Sequence, residues 1–244
     1  MDPSTYERMR ALQARHWWFE GRRRILATMI GGLPIPRPAR ILEVGCGPGG
    51  NIAMLQRFGE VVAVEPDESS RLYAARISGA RVESGRLPDG LPFPPAAFDL
   101  AAAFDVIEHV DEDRASVAAI GALVRPGGYM IATVPGQPWM WSRHDELHHH
   151  KRRYRLTAFR DLFIGAGLEV VKASYFNALL FPLIASVRAV KLAAGSTAPD
   201  DDGVPAAPLN AALTALFGSE GAWLQRADLP FGVSILVIAR RPAA

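Results

Sequence analysis

The stretch that decides the fold is Ile41-Leu42-Glu43-Val44-Gly45-Cys46-Gly47-Pro48-Gly49-Gly50. A short apolar run, Ile41 to Val44, stops at a glycine, and a helix-like segment, Asn51 to Phe58, follows. Glycines at such a turn let the backbone pass close to a ligand, and the helix start offers free amides and the positive end of its dipole. By itself the turn fits a tight strand-to-helix connection just as well. Two carboxylates change the balance. Glu43 lies inside the strand, and Glu65 closes the next one, Val61 to Val64, where a carboxylate is placed to accept both hydroxyls of a ribose. Together they fit a nucleoside ligand better than an empty turn.

Outward from that turn the segments alternate. Asp67 to Ser78 reads as a helix with Asp67 as its cap, Arg81 to Glu83 as a short strand, and Phe98 to Phe104 as an apolar strand. Asp111 to Val124 reads as a helix and Tyr129 to Val134 as a strand ending in Pro135. Short, almost continuous apolar strands between helices indicate a parallel sheet covered on both faces. Upstream, Ser4 to Phe19 reads as one helix capped by Ser4 or Thr5, and Arg23 to Ile30 as a second that stops at Gly31-Gly32. The prolines of Leu33 to Pro38 make a linker. Downstream of Pro135 a polar, basic, His-rich stretch runs to Arg155, followed by a helix, Leu156 to Gly165, a strand, Leu168 to Ala173, and an apolar segment, Tyr175 to Leu192. An acidic, proline-rich linker, Pro199 to Pro208, leads to a short helix, Leu209 to Phe217, and a last strand, Phe231 to Ala239.

Composition sets the outer limits. The 244 residues suffice for one α/β domain, and 49% hydrophobic with 21% charged residues excludes a mainly disordered chain. A net charge of +2 gives no global case for nucleic-acid binding. The single cysteine, Cys46, excludes an intrachain disulfide and a Cys-rich zinc module. Met1 to Arg15 lacks the apolar core of a signal peptide, so a cytoplasmic setting is expected. An arginine bias, with only three lysines, and richness in Ala and Pro fit a GC-rich bacterial genome.

Five stretches carry a resemblance. Ile41 to Gly49 resembles the first motif of the class I S-adenosylmethionine-dependent methyltransferases, and Val62-Ala63-Val64-Glu65-Pro66 is similar to their second. Leu91-Pro92-Phe93 with Phe98-Asp99-Leu100 resembles the lead into their fourth strand, Asp105-Val106-Ile107-Glu108-His109-Val110 the stretch after it, and Leu123 to Gly128 the turn before the fifth. The flanks look like a bacterial subgroup linked to lipid-carried sugars, polysaccharides or secondary metabolites. The resemblance implies a doubly wound, Rossmann-like α/β domain with a seven-stranded sheet whose last strand is antiparallel. It would be a single domain over 1–244, with an N-terminal helical cap (1–32), a cofactor core (39–135), a substrate cap and insertion (136–230) and the last strand (231–241).

The resemblance also implies S-adenosylmethionine as cofactor. Gly45, Cys46, Gly47 and Gly49 would hold the methionine part, Glu65 the ribose, Arg86 and Leu87 would flank the adenine, and Asp105 would sit near the ammonium; Glu43 and Pro66 are counted with them. Many relatives carry an Asp after the glycine equivalent to Gly85. Here Arg86, an obligate donor, stands there, so backbone groups or stacking are expected to hold the base. The rival is a nicotinamide-dependent oxidoreductase, since Gly45, Gly47 and Gly50 also satisfy G-x-G-x-x-G. Glu43 and the 105–110 stretch favour the methyltransferase. A non-catalytic cofactor-binding module is the third alternative.

Transfer to a hydroxyl needs alignment and a base, which favours histidine. His109 follows the fourth strand, and His144 and His148, four apart, follow the fifth; these three are the candidate catalytic residues. Ubiquinone-pathway O-methyltransferases resemble the 105–110 stretch, and there acidic residues plus the His hold a divalent ion. Asp105, Glu108 and His109 are the equivalent set, but a metal-free site is the preferred expectation because metal-free relatives share the match. Arg152, Arg153 and Tyr154, with Trp141, are the candidate substrate residues, suited to an anionic group. In His16-Trp17-Trp18-Phe19 most rings are expected to pack, with a lid role over the cofactor assigned to Trp17.

As a helix, 175–192 would span about 27 Å, short of the ~30 Å hydrocarbon core of a bilayer, and it contains Pro182, Arg188 and Lys191. A membrane crossing is not expected. A buried helix lining a pocket for a hydrophobic tail is preferred to a peripheral contact at the inner membrane face. The expected partner is a small-molecule or lipid-linked acceptor methylated on a hydroxyl oxygen; the number of copies is left open.

Overall fold

The computed structural model describes residues 10, 12–193 and 203–243. Among these residues, eight α-helices and seven strands follow one another, beginning with α1 (Trp17–Gly31), β1 (Ala39–Val44), α2 (Ile52–Leu55), β2 (Gly59–Val64), α3 (Glu68–Ser78), β3 (Arg81–Glu83) and β4 (Phe98–Phe104). There follow α4 (Asp113–Leu123), β5 (Val124–Pro135), α5 (Arg143–Leu147), α6 (Leu156–Gly165), β6 (Glu169–Phe176), α7 (Phe181–Ala193), α8 (Ala207–Leu224) and β7 (Ser234–Arg240). One-turn 3-10 helices lie at Ile107–His109 and Pro138–Met140.

The strands form one sheet in the order β3-β2-β1-β4-β5-β7-β6. β7 runs antiparallel to both its neighbours, and the other pairings are parallel. Side chains alternate between the faces of each strand. Ile41, Leu100, Ala102 and Ile131 enter the core under α1 and α8, while Leu42, Ala101, Ala103, Met130 and Ala132 enter the core under α4 and α6. Both faces are covered, which is why β4 reads as an unbroken apolar run. The strand order reverses between β1 and β4, and ligands in such sheets bind at the carboxyl ends on either side of that reversal.

Several boundaries move. The aromatic run begins a helix instead of ending one: α1 is continuous through Trp17–Gly31, and the His16 ring accepts from the Trp18 amide at its start. Ser4 and Thr5, the expected caps, lie outside the described residues. The Asn51–Phe58 helix shrinks to four residues because Gly59 already lies against the backbone of Ala39 as β2 begins. β5 starts at Val124, and the last strand starts at Ser234. The apolar 175–192 segment divides, its first two residues closing β6 and its helix starting only at Phe181. The helix expected over 209–217 is longer, because α8 packs along α1; a Cβ on Gly21 would fall 2.6 Å from Phe217 Cδ1. Of the 199–208 linker, residues 199–202 lie outside those described.

Glu220 of α8 joins the cap to the sheet. Its buried carboxylate accepts from the amides of Asn177, Ala178 and Leu179 at 2.6–2.8 Å, fixing the turn from β6 into α7. Burial raises its pKa, and the three amides oppose that rise.

Candidate active site

The glycine loop opens at the carboxyl end of β1. Gly45 sits at φ +68°, and a Cβ there would lie 2.6 Å from Val106 Cγ2, so only glycine fits. Gly47, at φ +53°, has nothing within 4 Å of the place its Cβ would occupy. That open space beside bare backbone is what a close-bound ligand requires. Glu65 braces the loop: Oε2 accepts from the Gly47 amide at 2.8 Å and Oε1 from the Asp67 amide at 3.0 Å. Burial raises its pKa, and these two amides act the other way. The remaining lone pairs are what it can offer a ribose. Pro66 is exposed beside it.

Glu43 is buried beneath the loop. Oε1 accepts from Asn51 Nδ2 at 3.1 Å, while Oε2 has no hydrogen-bond partner among the described residues. Burial pushes its pKa up to about 7. Burial, with Glu43 and Glu65 nearby, likewise raises the Cys46 thiol far above its ordinary value, so the thiol stays protonated.

Asp105 ends β4 in a left-handed conformation, φ +55°. Its carboxylate is already engaged: Oδ1 accepts from Thr133 Oγ1 at 3.0 Å and Oδ2 is ion-paired to Arg22 Nη1. Arg22 is buried, with its guanidinium 4.4 Å from the centre of the Trp18 ring. Burial, then the neighbouring Arg23, lowers its pKa to about 10. This pairing across 83 residues has no signal in the local sequence. A methionine ammonium at Asp105 would have to share that carboxylate with Arg22, whose guanidinium suits the methionine carboxylate.

Trp17 does not form a lid. Its amide donates to Asn210 Oδ1, and its ring meets Phe217 edge-on at 5.9 Å, because α8 covers this face of α1. Arg86 is exposed, and its backbone forms a bridge with Gly90, while Leu87 is half-buried on the second core. Backbone is thus already presented near the base position that lacks an acidic side chain.

The insertion after β5 carries the histidines. His144 and His148 share one turn, ring centres 4.3 Å apart, and their rings lie 6.3 and 6.0 Å from His150. His150 in turn meets His109 edge-on at 4.8 Å. Burial, then the charges of His150 and His148, pushes the His109 pKa down to about 3, so it is neutral and a poor proton acceptor. His150, a member of the His144 to His150 cluster to which no separate role was assigned, joins the two groups. Its only sequence signal was membership of the run His148-His149-His150.

The basic run is mostly committed to structure. Arg153 is buried, donating from Nε to Asp145 Oδ1 at 2.7 Å and from Nη1 to the Gly136 carbonyl at 2.9 Å. Burial alone would raise Asp145, but hydrogen bonds from His150 and Arg153 hold its carboxyl well below the usual range. Arg152 and the buried Tyr154 both donate to Asp113 Oδ2 at 2.8 Å. The expectation that Arg152, Arg153 and Tyr154 grip a substrate is therefore corrected: each is turned toward an internal carboxylate. Arg155 is the member that lines an open cleft of about 560 Å³, with Gln137, Trp139, Thr157 and Tyr175. Trp139, not Trp141, provides the aromatic wall.

The model of the methyltransferase-domain family matches residues 10–173, and the chain belongs to that family. Its seven-stranded sheet has the class I methyltransferase architecture. A ubiquinone biosynthesis O-methyltransferase of Methylocella silvestris is 35% identical over 140 residues, covering 54% of this chain and 52% of that protein. The chain spans about half the length of the curated relatives it matches. Among solved structures, an S-adenosylmethionine-dependent methyltransferase from Mesorhizobium loti aligns at TM-score 0.59 and 18% identity over 88% of this chain and 96% of that one. A geranyl diphosphate methyltransferase in complex with S-adenosylmethionine aligns at 0.60 and 18% over 91% and 90%. These two likenesses concern the fold.

Proposed function

We propose that this chain transfers a methyl group from S-adenosylmethionine to a hydroxyl oxygen of a small acceptor with a hydrophobic portion. The observation that carries the cofactor half is the open backbone at Gly47, braced by Glu65, at the reversal of strand order. Bound there, S-adenosylmethionine supplies a methyl on a sulfonium leaving group. The residues of the chain then have three tasks. The glycine loop, Glu65, Asp105 and Arg22 orient the donor. The buried surroundings of Asp105 exclude water. A half-buried base at the mouth takes the hydroxyl proton, and His144 and His148 fit this better than His109, which is equally half-buried but whose pKa is pushed down to about 3.

The acceptor class is supported by surface chemistry. Trp139, Phe181 and Phe231 form a chain of ring contacts at 6.2 and 5.6 Å beside the Arg155 cleft. Leu183, Val187 and Val190 continue the apolar exposure along α7. No helix among the described residues is long and apolar enough to cross a membrane. A hydrophobic tail on this surface, with a polar head at Arg155, is the arrangement the reading uses, and the ubiquinone-pathway relative makes a phenolic hydroxyl the first acceptor to try.

Calorimetric titration with S-adenosylmethionine and with NAD separates this reading from the oxidoreductase. Methyl-labelled cofactor is then offered with a catechol bearing an isoprenoid tail, the untailed catechol, and a primary amine. Labelling of the tailed catechol above the other two is the expected result. Cofactor binding with no labelled product would leave a non-catalytic module, and labelling of the amine alone would overturn the hydroxyl assignment.

A further inference from the structure

Glu108, His109 and His150 each place one ligand-capable atom within 4.8 Å of the others. Glu108 is wholly buried, and neither carboxylate oxygen has a hydrogen-bond partner among the described residues. A carboxylate left so is costly unless something positive meets it. The two neighbouring guanidiniums are already committed, Arg22 to Asp105 and Arg153 to Asp145. Opposite Glu108 stand two imidazoles. His150 is held by Nδ1 against Asp145 Oδ1 at 2.9 Å, which leaves Nε2 for another partner. A carboxylate behind a histidine is the usual outer support of a metal ligand.

We propose that Glu108, His109 and His150 bind a divalent ion of the zinc or cobalt type, with Asp145 as the positioning residue for His150. Two imidazoles and one carboxylate suit such borderline ions, whereas magnesium prefers an all-oxygen shell. This set departs from the Asp105, Glu108 and His109 set implied by the resemblance. Asp105 is occupied by Arg22 and Thr133, and the third ligand comes from the insertion after β5, 41 residues beyond His109. The ion would tie the insertion to the end of β4, next to the backbone bond from Lys151 N to the Glu108 carbonyl at 2.8 Å.

The test uses the full chain, stripped with a chelator and titrated with Co²⁺ while visible absorption and the thermal midpoint are followed. One equivalent should bind with a d–d band and a raised midpoint, and Mg²⁺ at the same concentration should give neither. Glu108→Gln and His150→Gln should each weaken Co²⁺ binding at least 100-fold, Asp145→Asn about 10- to 100-fold, and Asp105→Asn should leave it unchanged. Far-UV circular dichroism and a cooperative thermal transition of the metal-free form show that a variant is folded. X-ray absorption of the wild-type cobalt complex counts imidazole and oxygen ligands without any variant. The proposal is overturned by the absence of saturable Co²⁺ binding, by binding that survives both Glu108→Gln and His150→Gln, or by binding lost on Asp105→Asn. None of these readouts depends on methyl transfer, so they fail or succeed separately from the hydroxyl-acceptor reading.

Discussion

The glycine loop and the histidine insertion sit at the same edge of the sheet but are built differently. In the loop the decisive contacts run between strands that are neighbours in sequence and involve backbone: the Gly47 and Asp67 amides on Glu65, and the Gly45 and Cys46 amides on the Val64 carbonyl. In the insertion they run between side chains, with the fully buried Asp145 holding both Arg153 and His150. The first construction rests on the backbone freedom of the glycines and on the one carboxylate of Glu65. The second has little slack, since removal of Arg153 or of Asp145 leaves the other's charge in the interior without its ion-pair partner.

The largest effect on stability is expected from Arg153→Ala. Asp145 would keep a buried charge without its guanidinium, at about 3–5 kcal/mol, read as a shift in the urea midpoint at constant slope. If the loss is under about 1 kcal/mol, the insertion is no more demanding than a surface and the contrast collapses. Next comes Gly45→Ala, which forces a Cβ toward Val106 at positive φ and should cost about 1–3 kcal/mol. It should also abolish calorimetrically measured cofactor binding. Gly79→Ala, also at positive φ but with nothing within 4 Å, is the control that separates backbone strain from the close approach.

A pH series sharpens the comparison. Glu43 is raised by burial from 4.5 in the unfolded chain to about 7 in the fold. A raised carboxyl favours the fold while protonated, so its contribution is complete below pH 4.5 and is lost as pH rises through 7. Glu43→Gln should flatten that part of the cofactor-free stability profile, by on the order of 1–3 kcal/mol. An unchanged slope would mean that water or Arg22 stabilises the anion. Smallest in stability terms are His144→Ala and His148→Ala, expected to stay within about 0.5 kcal/mol of the wild type. At least one should lower turnover roughly 100-fold with cofactor affinity intact. Full activity in both would return the base to another group.

The two regions differ in legibility for the same physical reason. The strand, glycine turn and following carboxylate lie within 25 consecutive residues, 41–65, and depend on backbone freedom and periodicity, both written locally in the chain. The alternation of strands and the Asp67 cap at α3 follow the same logic, whereas the antiparallel last strand is implied by the resemblance. The insertion displays its residue types but not their partners. A run of Lys, Arg and Tyr looks alike whether it faces solvent, substrate or Asp113, and only the fold turns Arg152, Arg153 and Tyr154 inward.

By itself, then, the sequence determined the doubly wound sheet and the glycine loop of a nucleoside site, because strand period, glycine spacing and two acidic positions act over short range. Tertiary structure alone decided that Arg22 meets Asp105, that Trp17 packs under α8, that Arg155 is the arginine at the cleft, and that His150 stands with Glu108 and His109. Apart from the Arg155 cleft, whose walls come from 137–175, those pairings join residues from 41 to 200 positions apart. Their energies come from burial and charge compensation, which exist only once the sheet has closed around them.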